Sequence, residues 1–148
     1  MDYKIIRFTK FILDFMFYAG IFTCVTLFGW IRLYSGYNVY FETFLYQLYV
    51  LFLLSGILAV LIIRELRKMF QTVLADDCFV QANVTSLQKM GTYSFGIAII
   101  TAMRLLLYIT PAVLIVILVF VIAGLFSKVL SYVFDRAVSY KLENDLTI

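Results

Sequence analysis

The 148-residue sequence has no histidine, one proline, two cysteines and only 14% charged residues. The missing histidine removes the commonest general base and the commonest metal ligand together. Cys24 and Cys78 are too few for a disulfide framework. One falls in an apolar run and the other beside an acidic pair, so both are expected as free thiols at a reduced face. There is no glycine-rich phosphate loop, no Ser/His/Asp set, no Cys/His pair and no zinc-ligand spacing. No catalytic residue, cofactor or metal site is therefore expected, and an enzyme is not. The net charge of +3 is scattered rather than gathered into a patch, so no direct nucleic-acid binding is expected either.

Apolar side chains are what the chain has instead. They make up 64% of the residues, and the mean hydropathy is +1.00. A soluble domain is about 45–50% apolar and about 25% charged, and one this apolar would aggregate in water. The natural partner of such a surface is a lipid bilayer, and the length allows a single domain, residues 1–148.

A bilayer core about 30 Å thick takes roughly 20 helical residues. Four apolar runs approach that length, 11–31, 44–63, 91–109 and 112–130. They are continuous rather than alternating, which selects helices over barrel strands. The first is too long for a signal-peptide core and no small-residue cleavage site follows it, so it is expected to remain as a span. The expected fold is an all-α integral membrane protein of four transmembrane helices. In the last of these, Lys128 is expected to snorkel while Val129, Leu130, Tyr132 and Val133 carry the apolar character on.

Ten of the twelve basic residues fall on one side of these runs: Lys4, Arg7, Lys10, Arg64, Arg67, Lys68, Lys89, Lys128, Arg136 and Lys141. The positive-inside rule then places both termini and the central loop in the cytoplasm. The opposite side receives two short links. One is tyrosine-rich, with Tyr34, Tyr37 and Tyr40, which join Trp30 and Tyr46 in an interfacial belt. The other is Tyr108-Ile109-Thr110-Pro111, whose proline suits the first turn of the last helix.

On the basic side, Leu66, Met69, Phe70, Val73 and Leu74 recur at helical spacing, and Val80, Val84, Leu87 and Gly91 share a face leading into the third span. This predicts a helical hairpin over 64–90 that projects beyond the membrane. Its turn holds Asp76 and Asp77, expected to cap the next helix or form the turn rather than bind metal. Three charges lie in or beside the spans. Arg104 is a candidate intramembrane charge, expected to reach the headgroups, to pair with Glu42, or to serve a ligand or ion. Asp14 lies four residues from Lys10, which is expected to neutralise it.

Two stretches carry a resemblance. One is Phe79-x-x-x-Asn83-x-x-x-Leu87 followed by Lys89-Met90-Gly91; the other is the end of the chain, Leu142-Glu143-Asn144-Asp145-Leu146-Thr147-Ile148. With four spans in this order, they resemble the bacterial membrane family known as domain of unknown function 2975. Cys78 stands where that family usually has proline. Thr85 and Ser86 replace residues that are often basic there, and Leu142 replaces a glutamate. The resemblance implies a bacterial inner-membrane protein, and family members are often encoded beside a small helix-turn-helix regulator.

The leading expectation is a non-enzymatic interaction or regulatory protein that docks a cytoplasmic partner through the hairpin and tail. Its candidate residues are Phe79, Asn83, Leu87, Gly91, Glu143, Asn144, Asp145, Leu146 and Thr147. The alternatives are a small transporter or transporter subunit, acting as a homo-oligomer through Arg104 and Glu42, and an immunity or stress membrane protein.

Overall fold

A computed structural model of the chain describes residues 2–107 and 109–147, the side chains of Tyr40, Phe41 and Thr147 excepted. The expected roles of Tyr40, Tyr108, Ile148 and the Thr147 side chain therefore lie outside the described residues. The regular structure is helical throughout: α1 (Tyr3–Val25), α2 (Leu27–Ser35), α3 (Val39–Thr43), α4 (Leu45–Leu74), α5 (Gln81–Arg104) and α6 (Pro111–Thr147). Among the described residues there is no strand.

Three helices, α1, α4 and α6, are long and apolar enough to cross a membrane, which points to a membrane protein. The expected fourth span corresponds to α5, which does not reach that hydropathy. Its first half carries Gln81, Asn83, Thr85, Ser86, Gln88, Lys89 and Thr92. The reason is its position. The long helices pack in a row, α1 on α4, α4 on α5 and α5 on α6, and among the described residues α4 does not pack on α6, nor α1 on α5. With a helix on each side, α5 buries Asn83, Val84, Ser86, Leu87, Gly91, Ser94, Ile97, Ala98 and Thr101, whereas α1 buries only Leu13. A helix walled by protein can carry polar side chains that find partners within the fold.

Small residues let these helices approach, as is usual where apolar surface alone gives no preference for a neighbouring helix over lipid. A Cβ at Gly56 on α4 would stand 2.9 Å from the Cys24 sulfur on α1, and a Cβ at Gly124 on α6 would stand 2.8 Å from the Phe95 ring on α5. Both cysteines are free.

Several boundaries differ from the expected ones. The first run, 11–31, is not one helix: α1 starts at Tyr3, with the Asp2 carboxylate accepting from the Lys4 N–H, and breaks at Thr26 before α2. Thr23 and Thr26 both donate back to carbonyls of the preceding turn, at 2.8 and 2.9 Å, a bond that competes with the helical ladder and bends helices. The link at 32–43 contains the end of α2 and the short α3 rather than open loop. The third run ends at Arg104, five residues before the expected 109, in a turn of i→i+3 bonds through Leu107. Arg104 is thus the last residue of α5, where a cation complements the helix dipole. The fourth run, 112–130, lies within a 37-residue helix that continues to Thr147. It does begin at Pro111, and the Thr110 hydroxyl accepts from the Val113 N–H at 3.3 Å.

The packing gives a direct test. Gly124→Val is expected to destabilise the protein by about 1–3 kcal/mol through overpacking against Phe95. Gly29→Ala is a control, because a Cβ at Gly29 meets nothing within 4 Å; it is expected to stabilise by up to about 1 kcal/mol from helix propensity. Unfolding midpoints of the two variants in one detergent would check both, and equal midpoints would refute the close contact.

Candidate functional site

The densest polar structure lies at one end of the row, where the start of α1, the α4–α5 turn and the last third of α6 meet. The turn is set by the end of α4. Asp76 has a φ of 56°, a left-handed conformation that aspartate tolerates better than most residues. The Asp77 N–H then reaches the Thr72 carbonyl at 3.0 Å and the Asp76 N–H the Val73 carbonyl at 3.1 Å, the paired bonds that close a helix C-terminus. Neither aspartate caps α5, contrary to one of the roles expected for them; its N-cap is Val80, which has no side-chain bond to offer. Both carboxylates are occupied elsewhere. The Tyr3 hydroxyl donates to Asp76 at 2.5 Å, and the Lys141 ammonium pairs with Asp77. Phe79 meets the Phe134 ring edge-on, with centroids 5.4 Å apart.

Lys141 is about 45 Å along α6 from Pro111 at 1.5 Å per residue, well past a bilayer core about 30 Å thick. The hydrogen bond that its ammonium donates to the Asp77 carboxylate raises its pKa above the usual lysine value.

Asn83 forms the next layer inward. Its amide donates to the Thr72 hydroxyl at 2.7 Å and to the Cys78 carbonyl at 2.6 Å, and the residue is almost fully buried. It thus braces the turn against α4. One turn further, the Ser86 hydroxyl donates to Glu65 at 2.8 Å, with Lys68 at 3.5 Å from the other carboxylate oxygen. Glu65 is only 4% exposed. A buried carboxylate is tolerated when its oxygens are bonded and a cation stands near.

On the other flank of α5, the Ser127 hydroxyl donates to the Leu87 carbonyl at 2.6 Å. Lys128, expected to snorkel, turns toward α5. Its stem crosses the space left by Gly91, where a Cβ would meet it at 3.0 Å, and its ammonium reaches the Gln88 carbonyl at 3.0 Å and the Thr92 hydroxyl at 2.9 Å.

The sequence candidates therefore fall into three groups. Asn83, Leu87 and Gly91 are brought together along α5, buried against α4 or α6. Phe79 is half-exposed at the turn. Glu143, Asn144, Asp145 and Leu146 continue α6 as helix and lie on its surface.

Asp14 does pair with Lys10, at 3.3 Å, but its shorter bond is to Arg67 on α4, at 2.6 Å. The Arg67 guanidinium also lies 4.4 Å over the Phe17 ring. Arg104 stands at the far end of the row, 4.6 Å over the Phe52 ring, and is not joined to the exposed Glu42. Sequence reading overlooked Glu65 and the pairing of Arg67 with Asp14. Glu65 sits among Arg64, Arg67 and Lys68 and reads as a surface acid. The available signal was the seven-residue spacing of Leu58, Glu65 and Thr72, which puts them on one face of α4.

These features define an all-helical protein with three helices fit to cross a membrane, a polar central helix and a braced turn at one end. Residues 12–148 match the family model described as Protein of unknown function (DUF2975), and the chain belongs to that family. No curated protein and no solved structure matches it.

The buried pair supplies a prediction with a sign. Ser86→Ala leaves a Glu65 oxygen unsatisfied and is expected to cost about 1–3 kcal/mol. Replacing both partners, Glu65→Leu with Ser86→Ala, is expected to cost less than Ser86→Ala alone, because no stranded charge remains. A double mutant less stable than the single in chemical unfolding would contradict the assignment.

Proposed function

We propose that this is a non-enzymatic protein of the bacterial inner membrane that docks a soluble cytoplasmic partner through the α4–α5 turn and the end of α6. In this reading α1, α4, α5 and α6 all span the bilayer, and both termini face the cytoplasm. Ten of the twelve basic residues lie toward one end of the row, which favours that end as the cytoplasmic one.

The observation that carries the reading is how far α6 extends. At 1.5 Å per residue its 37 residues measure about 55 Å, against a hydrocarbon core about 30 Å thick. Lys141 ties the helix to Asp77, and the segment beyond runs on over the protein surface. Leu142 and Leu146 are four residues apart and therefore share a side of the helix; Leu146 is 86% exposed. Glu143 and Asp145 accompany them. An apolar pair beside acidic groups suits a partner groove with a basic rim. Phe79, half-exposed at the turn, supplies a second contact. Asn83, Leu87 and Gly91 act in this scheme by holding the turn in place, not by touching the partner.

The encoded neighbourhood implied by the family resemblance makes a small helix-turn-helix regulator a suitable partner, bound through protein contacts alone. The transporter reading draws less support. It needs polar groups gathered at mid-membrane depth, and Arg104 and Glu42 stay apart.

The topology is tested by reporter fusions. Fusions at Gly36 and Ile109 are expected to be active as periplasmic reporters, and fusions at Asp77 and after Ile148 as cytoplasmic ones. Docking is tested by photoreactive residues at Phe79 and Leu146 in native membranes. The same soluble protein is expected at both positions, and deletion of residues 142–148 is expected to abolish its capture. Capture of nothing but a second copy of this chain would overturn the docking reading.

A further inference from the structure

The end of the row opposite the braced turn holds a cavity that the docking reading does not use. It measures about 320 Å³, at the lower end of the roughly 300–1,000 Å³ typical of small-molecule sites. All the long helices contribute to its wall, including Cys24, Ser55, Ala59, Thr101 and Phe120. It exists because the row is open: α4 and α6 do not close on each other, and small residues on α4 leave the space between them unfilled. The wall is almost wholly apolar, and Arg104 is its charged group.

Arg104 also lines an adjoining, more polar recess with Thr110 and Tyr34. Its guanidinium lies over Phe52, and none of the ion pairs among the described residues includes it. A cation at the end of an apolar cavity, outside the ion pairs of the described residues, complements an amphiphile carrying one negative charge and a hydrocarbon chain. A guanidinium binds a phosphate through paired N–H donors.

We propose that this cavity is a binding site for one anionic phospholipid of the adjacent leaflet, with an acyl chain between α4 and α6 and its phosphate on Arg104. The site rests on the membrane reading and is independent of any cytoplasmic partner. The small residues decide the room for the chain, and Arg104 decides the headgroup. A zwitterionic lipid with the same chains fits the same groove, but its own ammonium competes for the phosphate and weakens the pairing.

The test uses the full chain, purified in detergent and exchanged into nanodiscs containing equal amounts of phosphatidylglycerol and phosphatidylcholine with matched chains. Native mass spectrometry then reads the lipid retained. One phosphatidylglycerol per protein is expected, with a preference of about tenfold, as one charge-assisted contact implies. Arg104→Gln is expected to remove the preference and Arg104→Lys to keep part of it. Ala59→Phe, which fills the groove, is expected to lower retention of both lipids. Equal retention of the two lipids by the unaltered protein would overturn the proposal. So would a preference that survives in Arg104→Gln, or displacement by glycerol phosphate at the concentrations that leave phosphatidylcholine bound, which would assign Arg104 to a free phosphate instead. If Arg104→Gln does not fold by circular dichroism, the headgroup preference of the unaltered protein and the Ala59→Phe result decide the matter.

Discussion

Everything in this fold depends on the burial of α5. It lies within the row, between α4 and α6, and it is also the most polar of the long helices. Each polar group it brings inside must find a partner within the protein, because a buried polar group left without one is costly. Asn83 finds Thr72 and the Cys78 carbonyl, Ser86 finds Glu65, and Thr101 returns its hydroxyl to the Ile97 carbonyl at 2.7 Å. The bonds to Thr72 and Glu65 fix the register of α5 on α4. The bond from Ser127 and the Lys128 stem across Gly91 do the same between α5 and α6. Remove that inner helix and α6 would have no packed neighbour, while α4 would keep only α1 and the short segments α2 and α3.

The same burial changes the meaning of the sequence motif. A string such as Phe79-x-x-x-Asn83-x-x-x-Leu87 invites a search for a surface on which its residues are displayed. Here Asn83 and Leu87 face inward, and what the motif specifies is chiefly the shape of a turn. Asn83 grips a carbonyl at position 78, a group that any residue type supplies, proline included. That is why cysteine can stand where the family resemblance leads one to expect proline without loss of the contact. The surface made available by this bracing is Phe79 and the exposed stretch of α6 beyond Lys141.

How much of this was legible in the sequence depended on the signal. Continuous apolar runs gave the helices and their order, because a bilayer imposes one length scale on all of them. The continuation of α4 to Leu74 was legible from the spacing of Leu66, Met69, Phe70, Val73 and Leu74, and Pro111 marked the start of its helix. The break at Thr26 was not, since it arises from hydroxyls that compete with the ladder and such residues often sit within unbroken helices. The end of the chain was read only as a motif, although Leu142 and Leu146 already carried helical spacing. Glu65 and Arg67 were hidden because charge suggests solvent, and only the neighbouring helix reveals that Glu65 points at Ser86 and Arg67 at Asp14. The polarity of α5 was visible throughout but could not be explained before its position between α4 and α6 was known.

The row has one more property. Each long helix rests on the one made just before it: α4 on α1, α5 on α4, α6 on α5. Among the described residues no two long helices pack that are not successive, as the first and last members of a ring must. Such a chain can assemble in the order in which it is synthesised, with each loop closed early and cheaply. The last step is then the docking of α6, the helix whose far end ties the turn to the tail.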